Sequence, residues 1–435
     1  MSYLVINGGK KLHGTIENQS SKNAAEAIIC GSVLVEGKTT LYDVPKIESV
    51  NRILELLVSI GVHVEWGKEG QLSIDSSKPL SLSSMDRHAA EVARTSLLLM
   101  GALASRAKRY KLYRSGGCHL GERTVRPHLF ALEKLGVHIA TRDGFYDVKN
   151  DTNRLGAKVV MYESGDTTTE NVIMAAVLAK GTTTIKMASA NYMVQDLCYF
   201  LVSAGADITG IGTTTLVIKG VKKLHAVEKY SVMPDPIAAM TFIAAAIVTR
   251  SPMTITNCPL DFLELELEKL SIMGQRFEIK NQHKSKNNFF DIVDIKIIPS
   301  DLKALPDKVY GRPFPGLNID NLVLFIPILT QAKGRTLVHD WAYENRAIYA
   351  IELQKLGASV TLLDPHRLWI EGVTTFTPNE IMCPAALRPA VNILLCMLAA
   401  KGKSILRNTY TIDRGYENLY EVLNKAGADI KVIKE

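Results

Sequence analysis

The chain contains no apolar run near the roughly 18–20 residues needed to cross a bilayer, so membrane insertion is not expected. Its six cysteines show neither a CxxC pair nor zinc-type spacing. That argues against a metal site or a disulfide framework and for a reducing, cytoplasmic setting. The opening MSYLVINGGKK enters a strand pattern directly, without the charged segment and apolar stretch of a secretion signal. No nucleic-acid module is recognisable either. The net charge is +7, from 51 Lys and Arg against 44 Asp and Glu, and its basic stretches, such as 106–111 and 284–286, are scattered. A small anionic substrate accounts for that balance as well as a nucleic acid would.

What is present is a substantial core and a repeat. Hydrophobic residues make up 47% of 435 residues and the mean hydropathy is +0.07, which fits a globular chain of two domains. An apolar helical stretch ending in glycine, followed by a strand-like run, occurs six times. The glycines are Gly61, Gly136, Gly205, Gly274, Gly357 and Gly427, spaced by 75, 69, 69, 83 and 70 residues. Each is preceded by a helix end, a turn and a β-rich strand, with turn residues Gly37, Ala107, Gly181, Ser251, Gly334 and Gly402. From turn to glycine the distances are 24, 29, 24, 23, 23 and 25 residues. A period near seventy residues describes one structural unit used six times. The second copy alone is stretched, and its extra length holds Ser115-Gly116-Gly117-Cys118-His119-Leu120-Gly121-Glu122-Arg123.

Each unit reads as helix, turn, strand, helix, strand, strand. The first helix of most units is apolar on all sides, as in AAMTFIAAAIV and AVNILLCMLAA, which marks buried helices. Three units in a ring bury those helices and leave the sheets outside. Three repeats per domain divide the chain near residue 230, into 22–230 with the cysteine loop and 1–21 plus 231–435.

Charged residues open the buried helices: Lys22, Arg94, Asp166, Asp235, Asp320 and Arg388. A cation at a helix N-terminus is unfavourable by a few tenths to about 1 kcal/mol. A bound anion reverses that sign, because backbone N–H groups and the cation then converge on it. The structural alternative is that each cation pairs with a nearby carboxylate. Arg414 repeats the theme before a surface helix expected to be capped by Asp413. Asp320 reads either as a helix cap or as a general base facing a cleft between the domains. Cys30, Cys198 and Cys396 lie in apolar helices and read as inert. Cys258 and Cys383 precede prolines and have no flanking cations. Cys118 follows two glycines and lies near His119 and Arg123, a setting that acidifies a thiol.

Taken together, Ser21-Lys22-Asn23-Ala24-Ala25, the Gly116-Gly117-Cys118 loop ending at Gly121 and Arg123, Glu344-Asn345-Arg346, Leu387-Arg388 and Asp413-Arg414-Gly415-Tyr416-Glu417 resemble the UDP-N-acetylglucosamine 1-carboxyvinyltransferase family. The resemblance runs from residue 3 to the end of the chain. The shikimate-pathway relatives lack the Gly-Gly-Cys loop and match less well. The resemblance implies a two-domain inside-out α/β barrel of six repeats. It also implies transfer of an enolpyruvyl group from phosphoenolpyruvate to the 3′-hydroxyl of UDP-N-acetylglucosamine, the first committed step of peptidoglycan precursor synthesis. No metal or organic cofactor and no obligate protein partner are implied. Lys22, Arg123 and Arg414 correspond to cations that bind phosphoenolpyruvate, and Arg94 and Arg388 to further active-site arginines. Asn23 corresponds to a contact on the sugar side. Cys118 corresponds to the proton donor to the vinyl carbon, the group that fosfomycin alkylates, and Asp320 to the base that takes the hydroxyl proton. Closure of the domains around substrate is implied as well.

Three positions depart from the family pattern. A family Asp near the uridine is Arg126, the Ser-Val-Gly nucleotide contact appears as Gly165-Asp166-Thr167, and an Asp two residues before the active-site Arg is Ala386. They keep open a related transferase with another nucleotide or sugar acceptor. A non-catalytic ligand-binding relative is the third reading, disfavoured by the presence of Cys118 and Asp320.

Overall fold

The structure is a computed structural model that describes residues 2–68, 70–114 and 124–434. Cys118 and Arg123 lie outside the described residues. The chain forms two compact units, one of residues 20–114 and 124–233, the other of residues 2–19 and 234–434. Among the described residues no helix is long and apolar enough to cross a membrane.

In the 20–233 unit, the helices Lys22–Gly31 and Asp166–Ala176 pack with a short helical run made of Arg94–Leu98 and Leu99–Ala102. In the other unit, Pro236–Val248, Ile319–Leu329 and Leu387–Ala399 pack on one another. Every residue of Pro236–Val248 is buried. A helix apolar on all sides gains by removing its whole surface from water, at about 25 cal/mol per Å² of apolar area.

Around these helices the sheets share one plan. The strand after each turn pairs antiparallel with the third strand of its unit, and the second strand lies outside that. Lys38–Tyr42, Leu72–Asp75 and His63–Trp66 follow this order, as do Thr182–Lys186, Thr215–Lys219 and Asp207–Thr209. Among the described residues, five of the six sheets built on this plan add a short parallel strand, such as Lys158–Val160 beside Thr182–Lys186. The sixth sheet has a different source for its third strand. There Ser2–Gly8 runs between Gly402–Arg407 and Ile430–Lys434, with Leu4 opposite both Leu406 and Val432. The 83-residue interval after Gly274 accommodates a long hairpin, Arg276–Lys284 with Asp291–Ile298.

The turn glycines share one backbone conformation. Gly37, Gly181, Gly334 and Gly402 all have positive φ, a conformation that a Cβ strains. Two local expectations fail. The fifth copy's second helix is a 3₁₀ segment, Ala347–Leu356. Asp413 does not cap a following helix: it ends the four-residue helix Tyr410–Asp413, and Arg414 is that helix's C-cap. The next helix, Leu419–Lys425, starts only after Asn418, whose left-handed backbone breaks the run.

Candidate active site

The six charged positions all lie at the start of a helical segment. Lys22, Arg94 and Asp166 are first residues, Asp235 is an N-cap, and Asp320 and Arg388 are second residues. Three belong to each unit.

In the 20–233 unit, Ser21 caps the Lys22 helix by accepting from the Ala24 N–H. Lys22 Nζ donates to Glu26 Oε1 at 3.2 Å, so a carboxylate one turn on offsets the unfavourable dipole. Asn23 Nδ2 donates to Tyr192 Oη at 3.0 Å. The residue before Tyr192, Asn191, donates from Nδ2 to Asp166 Oδ2 at 3.2 Å, and Ser189 Oγ donates to Asp166 Oδ1 at 2.5 Å. The Asp166 carboxylate is therefore fixed at the first turn of its helix, where the dipole favours an anion. Arg94 is half-buried, and its charge is felt by His128. His128 is buried and 2.9 Å from Asn171 Nδ2 through Nδ1. Burial first, then Arg94, hold its imidazole down at about 4, so it is neutral near pH 7. Asn23 and Asp166 are thus both tied to the start of one helix, through the adjacent residues Tyr192 and Asn191, and Lys22 precedes Asn23 in the chain. Arg126 is exposed at the start of the helix Arg126–Glu133.

In the other unit, Asp320 is not the helix cap. Asn318 caps, accepting from the Asp320 N–H at 2.8 Å. The Asp320 carboxylate instead receives Arg346 Nη1 at 2.9 Å. Arg346 is only 3% exposed and is itself clamped. Its Nε and Nη2 donate to Asp340 Oδ2 and Oδ1 at 2.6 and 2.9 Å, and Nη2 also reaches Ile319 O at 2.6 Å. Burial alone would lower the guanidinium pKa, but Asp340 and Asp320 outweigh it and raise it. A two-point Arg–carboxylate pair fixes the guanidinium plane, and the remaining Nη1 then fixes Asp320. Such a carboxylate is held in one orientation, as a general base must be.

Arg388 is buried and donates from Nη1 to Tyr416 Oη at 2.5 Å, with its guanidinium 5.1 Å from that ring's centroid. Tyr416 Oη lies 2.7 Å from Thr241 Oγ1. Burial pushes the Tyr416 phenol up, against the opposing charge of Arg388, so the phenol stays neutral. Arg414, two residues before Tyr416, is half-buried. Ala386 is the N-cap residue of the Arg388 helix and supplies no capping side chain. Arg346, Pro389 and Asn392 line one small cavity, which joins Asp320's support to the Arg388 helix.

Three contributors escaped the sequence reading. Asp340 sits six residues before Arg346, a spacing with no helical or strand meaning. Arg346 stood in a quoted motif without a role. Glu26 could have been found as a lone carboxylate in an otherwise apolar helix.

The model of the EPSP synthase (3-phosphoshikimate 1-carboxyvinyltransferase) family matches residues 6–423. The chain belongs to this family of enolpyruvyl transferases. It is 33% identical over 430 residues to UDP-N-acetylglucosamine 1-carboxyvinyltransferase 2 of Caldanaerobacter subterraneus subsp. tengcongensis, covering 99% of both chains. Among solved structures, the enolpyruvyl transferase NikO from Streptomyces tendae matches with TM-score 0.84 at 23% identity, covering 100% of this chain and 99% of that one. EPSP synthase from Acinetobacter baumannii matches with TM-score 0.77 at 19% identity over the full length of both. These two likenesses carry the mixed α/β fold. As an enolpyruvyl transferase, the chain takes its transferred group from phosphoenolpyruvate.

Proposed function

We propose that the chain transfers the enolpyruvyl group of phosphoenolpyruvate to the 3′-hydroxyl of UDP-N-acetylglucosamine, releasing phosphate. The observation that carries this reading is the Asp320–Arg346–Asp340 network, which holds a carboxylate as a base should be held. Full-length similarity at 33% identity to relatives named for this reaction supports the acceptor.

Asp320 takes the acceptor hydroxyl's proton while that oxygen bonds to C2 of phosphoenolpyruvate. Cys118 gives a proton to the vinyl carbon, producing a tetrahedral ketal. A proton then leaves the new methyl group, the C2–O bond to phosphate breaks, and the double bond re-forms on the acceptor. Lys22, Arg123 and Arg414 bind the phosphate and carboxylate of the donor. Arg94 and Arg388 add positive charge, and Asn23 meets the sugar. Catalysis of this type relies on donors and cations already fixed where charge develops. The inside-out barrel, with domains 22–230 and 1–21 plus 231–435, is the architecture we assign to it.

A second reading keeps the chemistry and changes the acceptor. It is favoured by Asp166, whose anchored carboxylate opens a helix with an anion of the protein's own. Arg126 and Ala386 favour it too. Phosphate release from phosphoenolpyruvate, measured against a panel of nucleotide sugars and nucleotides, separates the two. Turnover with UDP-N-acetylglucosamine is expected. Turnover only with another acceptor establishes the second reading, and tight binding without any turnover points to a non-catalytic relative.

A further inference from the structure

Glu26 is the one carboxylate of the Lys22–Gly31 helix, among residues that from Ala24 onward are otherwise small or apolar, and it is only 2% exposed. Helix packing does not ask for a charge there, since an unpaired buried carboxylate is strongly destabilising. Its partner is Lys22, one turn earlier. A second carboxyl, Glu170, comes from the neighbouring helix Asp166–Ala176 and is equally buried. Glu170 Oε1 has no hydrogen-bond partner among the described residues. Burial first, then the charges of Asp166 and Glu26, push the Glu170 carboxyl well above the usual carboxylate range. The same burial, with Glu26 and Glu170 after it, pushes up the Cys30 thiol. Burial and the neighbouring carboxylates thus favour the protonated form of Glu170, while Glu26 faces the Lys22 ammonium.

A lysine ammonium is a point charge on a flexible stem, with three donors that find no direction of their own. Glu26 takes one of them and leaves the head at the start of the helix, where backbone N–H groups also point. We propose that Glu26 is a positioning residue for Lys22, holding the ammonium in the orientation from which its other donors meet an oxygen-rich anion. This rests on Lys22 being a ligand of phosphoenolpyruvate. Removing Glu26 leaves the lysine's charge, and so the general attraction for the donor anion. What is lost is orientation, which appears in kcat rather than KM.

The test compares Glu26→Leu and Glu26→Gln in steady-state turnover and in limited acetylation of the folded protein, with the Lys22 peptide quantified by mass spectrometry. In Glu26→Leu, kcat falls about tenfold while KM for phosphoenolpyruvate stays within about twofold. Glu26→Gln keeps an acceptor oxygen at the same reach and recovers kcat to within about threefold of wild type. Lys22 is acetylated several times faster in Glu26→Leu than in wild type. Wild-type kcat in Glu26→Leu, or a lower melting temperature in both variants with kcat intact, overturns the proposal. Should the wild-type chain turn over no acceptor, the assigned reaction fails by itself. Acetylation then decides the positioning role, and equal Lys22 labelling in wild type and Glu26→Leu rejects it.

Discussion

Residue chemistry in this protein depends on what holds each charged group. Arg346 fixes the Asp320 carboxylate that we propose as the base, and Arg346 is fixed because Asp340 takes two of its donors. Arg346→Ala is expected to lower kcat about a hundredfold or more, since it frees the carboxylate whose placement the proton transfer needs. The same substitution strands Asp340, which is 4% exposed, and should cost about 3–5 kcal/mol of stability in denaturant titration. A variant with wild-type kcat would reject Asp320's dependence on that contact. The cysteines make a second comparison. Cys198 is fully buried in the helix Tyr192–Ser203, and burial, with Glu170 after it, pushes its thiol far up. Cys198→Ser should leave turnover near wild type, whereas Cys118→Ser should reduce it severely. Equal effects would remove Cys118 from the chemistry, as would a fosfomycin adduct found by intact-mass analysis on another cysteine.

At the scale of elements, the helix Asp166–Ala176 carries one pH-sensitive group, Glu170, and touches a second of opposite slope, His128. Glu170 has a raised pKa in the folded state. Its protonated form is compatible with burial, so the stability it allows is complete below the carboxyl's unfolded pKa and is lost as pH rises through the folded value. Glu170→Gln should therefore raise the melting temperature at pH 7 and 8 and change it little at pH 4, as calorimetry would reveal. An equal shift at all three pH values would refute the buried protonated carboxyl. His128, which Asn171 of the same helix contacts, behaves oppositely. Its stability contribution is present above the unfolded histidine pKa and is lost as pH falls toward about 4.

Element starts were legible in the sequence. Lys22, Arg94, Asp166, Asp235, Asp320 and Arg388 align once the repeat is found, because a turn glycine and an apolar helix leave few places for a helix to begin. Partners across elements were not legible. Arg346 meets Asp320 from a segment 26 residues on, and Glu170 feels Glu26 from a neighbouring helix, so no local period records either. Asp413 misled because a capping side chain before a short apolar run looks the same whether the helix continues or stops. Only the left-handed Asn418 decides it.

Across the whole molecule, the same three-strand order serves six sheets, and one of them draws a strand from the opposite end of the chain. Deleting residues 1–8 should strip hydrogen-exchange protection from Gly402–Arg407 and Ile430–Lys434, which Ser2–Gly8 joins. The sheets of the 20–233 unit should keep theirs. Retained protection in both C-terminal strands would contradict the shared sheet.

That strand also brings the two ends of this chain side by side, with Ser2 opposite Lys434. A short glycine-rich linker could join them, and new ends could be cut at the exposed Thr213 and Thr214, in the turn that follows Asp207–Thr209. A circular permutant joined and opened at these places should still fold, because the strand order within each sheet does not depend on where the polypeptide starts.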